Sequence, residues 1–370
     1  MNSNEFPPKS DIDISPVTVP APPKKLSPTS GAILTAVCVL LAIIYGGMAS
    51  AALPAGSFGV IFILLVFPAL FAYLSIAGYA FQPVIAALAS LVTPIACILL
   101  AGADKAADTA LILSSTVESL VPAACGLALF LSYKYRMRRT SGIVLTASFA
   151  GVLLVCSLAV GIYSTYGALN GETVMKMLDD LRASMTDAIK SIVDEMKNNI
   201  SSIGGIYENA PVPSFDAEAL VDGVFNVLPA IVIVSLSVVA FLMQRVFFTC
   251  FRIFRAGDNC FTPEMKVFEV SAPTAVIFAV CFIVSLFVSS SSAAKAVLDN
   301  LTMILEPGLA VTGLSSILPR REGNTVKVGC FPIIGMIILL FISLNVAVLV
   351  LAIVGTVSVI KKAFGEIKKS

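Results

Sequence analysis

Two carboxylates stand where a lipid-crossing segment would not ordinarily carry them. Glu118 lies in the apolar run around SSTVESLVPAACG, Ser114 to Gly126, and Glu306 lies in NLTMILEPGLAVTG, Asn300 to Gly313. A carboxylate at the bilayer centre costs about 2.5 kcal/mol or more, so such residues are rare and mark ion, ligand or proton sites. Neither has a Lys or Arg at its own level, so each must find a proton, a cation or a cationic ligand. Ser114, Ser115, Thr116 and Ser119 offer hydroxyl donors near Glu118, and Pro307 frees a backbone carbonyl next to Glu306. Counted along ideal helices, Glu118 is about 24 Å from the basic anchor Lys134 and Glu306 about 21 Å from Arg320. Equal depths in the outer half of a membrane would let both face one cavity. The ligand-binding candidates are Glu118, Glu306, Ser115, Ser119 and Asn300. Three readings of Glu118 stand: a neutral carboxyl that joins two helices through hydroxyls, a ligand or ion site, and a proton relay.

Other chemistry is scarce. The chain has no histidine and no tryptophan, which removes imidazole bases and imidazole metal ligands. No H-E-x-x-H, Gly-rich phosphate loop or G-x-S-x-G elbow occurs. The eight cysteines are scattered without a C-x-x-C pair and read as small buried apolar residues. The expectation is a protein without enzymatic activity, cofactor or metal.

The elements that would position these residues are transmembrane helices. With 58% hydrophobic and 13% charged residues, the chain has too little charge to cover a water-soluble surface. Apolar runs of about 20 residues, enough for a core of about 30 Å, recur along it without strand-like alternation. Residues 1–30 hold seven prolines with mixed charge and read as a disordered tail. The first span ends near an A-S-A sequence that would suit signal peptidase, but its proline-rich, partly acidic leader is a poor n-region, so the span is retained. Spans follow at 58–79, 83–102, 109–133 and 142–166, then at 225–248, 272–289 and 293–318. The apolar stretch 328–360 would reach about 50 Å as one helix, so it divides near Ser343 and Asn345, giving ten spans.

Between 165 and 222 the hydropathy collapses. Val174, Leu178, Leu181, Met185, Ala188, Ile192, Met196, Ile200 and Ile203 recur at steps of three and four, which predicts one amphipathic helix of about 30 residues. The break GGIYENAPVP precedes a second helix capped by Ser214 or Asp216, and the two form an external hairpin. The domain plan is a tail at 1–30, a five-span bundle at 31–166, an extracytoplasmic insertion at 167–224, a second five-span bundle at 225–362 and a tail at 363–370. Of the 24 Lys and Arg residues, this topology places 18 inside, leaving Lys105, Lys176, Arg182, Lys190, Lys197 and Lys295 outside. The positive-inside rule then puts both termini in the cytoplasm of a bacterial cell, with the chain in its plasma membrane.

The span order, with VPAACGLALFLSYKYRMRR, NVLPAIVIVSLSVVAFLMQRV, FEVSAPTAVIFA and NLTMILEPGLAVTGLSSIL, resembles the YybS-like family of bacterial predicted membrane proteins over roughly residues 30–364. Pro122, Gly126, Pro229, Pro273, Asn300 and Gly308 carry the likeness, which brings no catalytic residues with it. The family's N-terminal half is similar to the S subunits of energy-coupling-factor transporters. That similarity implies small-molecule recognition or transport, with a transmembrane transporter subunit or a second copy as partner besides the bilayer, and no nucleic acid. Ala32 and Ala36 supply the A-x-x-x-A spacing with which such subunits dock, and small residues four apart let helices approach closely. The competing reading is a structural or assembly protein that recruits partners through the external hairpin and the tails. A polar cavity lined by Glu118 and Glu306 would favour transport; a filled bundle would favour the scaffold.

Overall fold

Apolar segments in lipid must satisfy every backbone N–H and C=O internally, and a helix does so within one segment. The computed structural model describes residues 27–50, 58–78, 81–100, 109–202, 216–255, 261, 268, 270–289, 292–317 and 343–367, and all its regular elements there are helices. In chain order they are α1 Pro28–Ser50, α2 Phe58–Ile76, α3 Phe81–Leu100, α4 Thr109–Lys134, α5 Arg139–Tyr166, α6 Gly171–Ser202, α7 Ala217–Arg255, α8 Ala272–Ser285, α9 Ala293–Ile317 and α10 Leu344–Ile367. Six of them (α1, α2, α4, α5, α7 and α10) are long and apolar enough to cross a membrane. The apolar parts of α3 and α8 are shorter, Pro83–Ala96 and Ala272–Ser285. α9 has 25 residues, but Lys295, Asp299, Asn300 and Glu306 dilute its apolar run. The ninth expected span, from 328, lies outside the described residues, as do residues 1–26 and Ser214.

The helices pack as two units. In the first, α1 lies along α3 while α2 packs on α4 and α7. Its core is aromatic at one end: Phe251 of α7 meets Tyr73 of α2 at 5.1 Å, Tyr133 of α4 at 5.5 Å and Phe247 at 5.0 Å between ring centroids. Close passage of α2 and α4 depends on Gly126, where a Cβ would come within 2.9 Å of the Phe71 ring. The expected bundle boundary at 166 therefore fails to separate the packing units, since the C-terminal half of α7 completes the core of α1–α4. The boundary at 224 also falls inside α7, whose 39 residues run unbroken from the polar segment into the span. Burial against α2 and α4, invisible in local hydropathy, overrides both divisions.

The second unit joins α8, α9 and α10 around Ala275, Phe278, Leu309, Ala310 and Ala352. α9 and α10 cross with their backbones in contact: a Cβ on Gly313 would collide with the Leu351 carbonyl, and one on Gly355 with the Leu309 carbonyl. α10 also continues to Ile367, through most of the residues expected to form a C-terminal tail.

The amphipathic helix forms as α6. Asn170 caps it, its Oδ1 accepting from the Thr173 amide at 2.9 Å, after Gly167 has ended α5 with φ 74°. Asp216 caps α7 by accepting from the amides of Glu218 and Ala219 at 3.1 and 3.2 Å. The first turns of α7 hold α6 through Arg182–Asp222 at 2.8 Å and Lys190–Glu218 at 3.6 Å. Tyr166 at the end of α5 donates to Asp180 at 2.7 Å. Leu181 and Ile192 remain 41% and 56% exposed, so the covered face is rotated from the expected stripe. The exposed ion pairs contribute only about 0.2–1 kcal/mol each, enough to orient α6 without burying its whole apolar face.

Candidate functional site

Glu118 sits on the exposed side of α4, with the Ser157 hydroxyl of α5 within hydrogen-bonding reach and the Tyr45 phenol of α1 close enough to feel its charge. Two of the expected hydroxyl partners are otherwise engaged. Thr116 donates to the Ile112 carbonyl at 2.7 Å and Ser119 to the Thr116 carbonyl at 2.9 Å, so both serve their own helix. Ser115 and Ser119 are buried one turn apart on the inner face, while Glu118 projects from the outer one.

Glu306 is half-buried on α9. Its neighbours Leu305 and Pro307 line a cavity whose α5 wall ends at Ser148. Ser157, beside Glu118, is nine positions further along α5, roughly 13 Å at the rise of a helix. The two carboxylates thus stand on helices that belong to different packing units.

Asn300 has a defined structural task. Pro229 lacks the N–H of its own rung in α7, and at the next rung the Asn300 amide engages both ends. Its Oδ1 accepts from the Ala230 N–H at 3.0 Å, and its Nδ2 donates to the Asn226 carbonyl at 2.6 Å and the Ala296 carbonyl at 2.8 Å. Both amide protons and one oxygen lone pair are committed to backbone.

The cavity, about 770 Å³ in volume, lies at the seam between the units, walled by α5, α7 and α9 with the segment before α8. Arg138, Thr140 and Ser141 line it at the start of α5, where Arg138 makes no side-chain cap bond. Ser148, Ser237, Ser271 and Thr274 add hydroxyls, and Val144, Val238, Ile304 and Val311 are among its apolar walls. Ser237 donates to the Ile233 carbonyl, and Ser271 and Thr274 share a hydrogen bond of 2.7 Å.

The strand-free turn before α5 explains how the rim is set. α4 ends with the Met137 amide on the Ser132 carbonyl and Arg136 at φ 50°, a left-handed cap that glycine usually supplies. Beyond it α5 is pinned to α7: Gln244 donates to the Arg139 carbonyl at 3.3 Å, and a Cβ at Gly142 would approach the Gln244 amide nitrogen to 2.8 Å. The guanidinium of Arg139 lies 5.2 Å from the centroid of Phe241 and that of Arg245 5.3 Å from it, while the same Phe241 ring lines the cavity.

A family model described as predicted membrane protein (DUF2232) matches residues 62–357. The chain belongs to that family. The matched segment holds α3–α9, nearly all of α2 and more than half of α10, and so contains every wall of the cavity. Neither a curated protein nor a solved structure matches the chain.

Sequence reasoning missed the cavity. Ser141 and Ser148, seven apart and hence on one face of α5, and Ser237 facing them were its visible signal. The basic cluster KYRMRR supplies Arg138 to the lining. Of the other candidates, Ala32 and Ala36 lie on the exposed face of α1, opposite the buried Leu34, Cys38 and Ala42. The five cysteines whose side chains are described are free thiols; Cys38, Cys125, Cys250 and Cys281 are buried as expected, whereas Cys156 is exposed.

Proposed function

We propose that this membrane protein is a non-enzymatic receptor for a small amphiphilic molecule, taken up from the bilayer into the cavity at the seam of its two units. The observation that carries the reading is the cavity's mixed lining, with Arg138, Thr140 and Ser141 at the start of α5 beside the apolar Val144, Val238 and Val311. Its volume falls within the range of about 300–1,000 Å³ common for small-ligand sites. The recognition role expected from the S-subunit resemblance is kept, and its site moves from the two carboxylates to the seam. Support for a docking partner is narrower and consists of Ala32 and Ala36, which stay exposed on α1. Such a partner would be a transmembrane subunit or a second copy.

The scaffold reading is favoured by one specific feature, the filled aromatic interior of the first unit. A cavity-filling variant separates the two readings. Val238→Trp places an indole in the cavity, and Ile33→Trp, on the exposed face of α1, is the control. Native mass spectrometry of protein purified in mild detergent should show a retained amphiphile in the wild type and in Ile33→Trp, and little in Val238→Trp at equal thermal stability. Equal retention in all three would sink the receptor reading and leave the scaffold.

A further inference from the structure

The rim of the seam cavity carries a charge pattern that the amphiphile reading does not use. Arg138 is the charged residue among those lining it, and it stands at the N-terminus of the 28-residue helix α5. The first amides of such a helix lack intrahelical acceptors and carry roughly half a positive charge. Thr140 and Ser141, in that same first turn, line the cavity. Behind them two more guanidiniums converge, since Arg139 and Arg245 share the Phe241 ring and Arg139 also lies 5.7 Å from the Phe248 centroid. One lining arginine, two hydroxyls and a helix terminus thus meet at a space whose walls also include Val144, Val238, Ile304 and Val311, with Arg139 and Arg245 on the Phe241 ring that lines it.

We propose that the seam cavity binds an anionic glycerophospholipid, its phosphate held by Arg138 with Thr140 and Ser141 and an acyl chain laid along the valine-lined walls. The proposal rests on the amphiphile-receptor reading and adds the ligand's class. Guanidinium and first-turn N–H groups are phosphate donors in reach of one another, and a bidentate fork on Arg suits a phosphodiester better than an ammonium does. A zwitterionic headgroup would bring its own cation beside the Arg138 guanidinium and the helix terminus, which disfavours it. A soluble phosphate compound would leave the apolar walls unfilled, which is why a lipid is chosen over a free anion. Under the positive-inside placement, this end of α5 faces the leaflet where anionic headgroups attract basic residues.

The test uses the full chain in detergent, titrated with short-chain phosphatidylglycerol or short-chain phosphatidylcholine and read by native mass spectrometry. The wild type should prefer the anionic lipid about tenfold. Arg138→Gln should weaken phosphatidylglycerol binding more than phosphatidylcholine binding and so lower that preference about fivefold, equivalent to about 1 kcal/mol for one arginine near a lipid surface. Ser141→Val, a milder change on the exposed face of α5, should lower it in the same direction should Arg138→Gln not purify. Val238→Trp should lose both lipids. Equal wild-type affinity for the two lipids, or a preference untouched by both rim variants, overturns the phosphate assignment and leaves the receptor reading standing. Binding of neither lipid in a Val238→Trp-sensitive way overturns both. Displacement of phosphatidylglycerol by millimolar inorganic phosphate alone would reassign the rim to a free anion and overturn the lipid.

Discussion

The first unit is closed by a cluster of aromatic rings, and the second by a glycine crossing of two helices. Phe67, Tyr73, Phe247 and Phe251 are fully buried in the first, where rings from α2, α4 and α7 meet edge to face. In the second, α9 and α10 bring Gly313 and Gly355 so close that their backbones touch. Lipid tails are as apolar as leucine, so helix association gains little from the hydrophobic effect and must come from packing contacts and interhelical hydrogen bonds. Rings supply many dispersion contacts per residue, whereas paired glycines supply backbone contact over a short length. α7 faces both solutions, keyed by Phe251 to the first unit and by Asn226 and Ala230 to α9. Two surfaces shaped by different packing rules do not interdigitate fully along their seam, and the cavity lies there.

The sharpest way to break this contrast is Phe251→Ala. Its ring contacts Tyr73, Tyr133, Phe247 and Phe261, with centroids between 5.0 and 5.5 Å. Removing a fully buried phenylalanine costs about 3–5 kcal/mol through lost contacts and the cavity left behind. Thermal unfolding in detergent should register the largest loss of any single variant considered, with α7 released from α2 and α4. A loss below about 1 kcal/mol would mean that α7 does not complete the first unit.

The contrast also explains what the sequence made legible. Helix positions followed from apolar runs, and the amphipathic helix from its three-and-four spacing, because those signals are local. Association of helices was hidden, since Phe247 and Phe251 read the same whether they face lipid or Tyr73. Loop anchors gave Glu118 and Glu306 equal depth, yet loop lengths do not report which packing unit a helix joins. Asn300 stood out as a polar residue in an apolar run, but its role needed Pro229 on another helix to become intelligible.

A smaller effect is expected from Gly313→Ala. The added methyl would collide with the Leu351 carbonyl, so α9 and α10 must separate, and overpacking of this kind costs about 1–3 kcal/mol. Gly47→Ala, with no atom within 4 Å of the new methyl, is the matched control. Limited proteolysis should find α10 more readily released in Gly313→Ala while the α1–α4 core stays protected. Protection of α10 equal to that in the control would show that the glycine crossing is not what holds the second unit.

Asn300→Ala should have the smallest effect, because the groups it abandons can partly satisfy each other. Ala230 and Asn226 are spaced i and i−4, so their N–H and carbonyl are partners for an ordinary helical rung without the Asn300 amide. The residual cost is the interhelical tie itself, about 0.6 kcal/mol on average in membrane proteins and at most about 1.7. α7 would straighten near Pro229 and loosen from α9, which widens the seam rather than unfolding either unit. Hydrogen exchange at the Ala230 amide distinguishes the two contributions. Protection retained alongside a small stability loss is the expected result, whereas exchange at the rate of an open amide would mean that Asn300 supplies the acceptor this amide depends on.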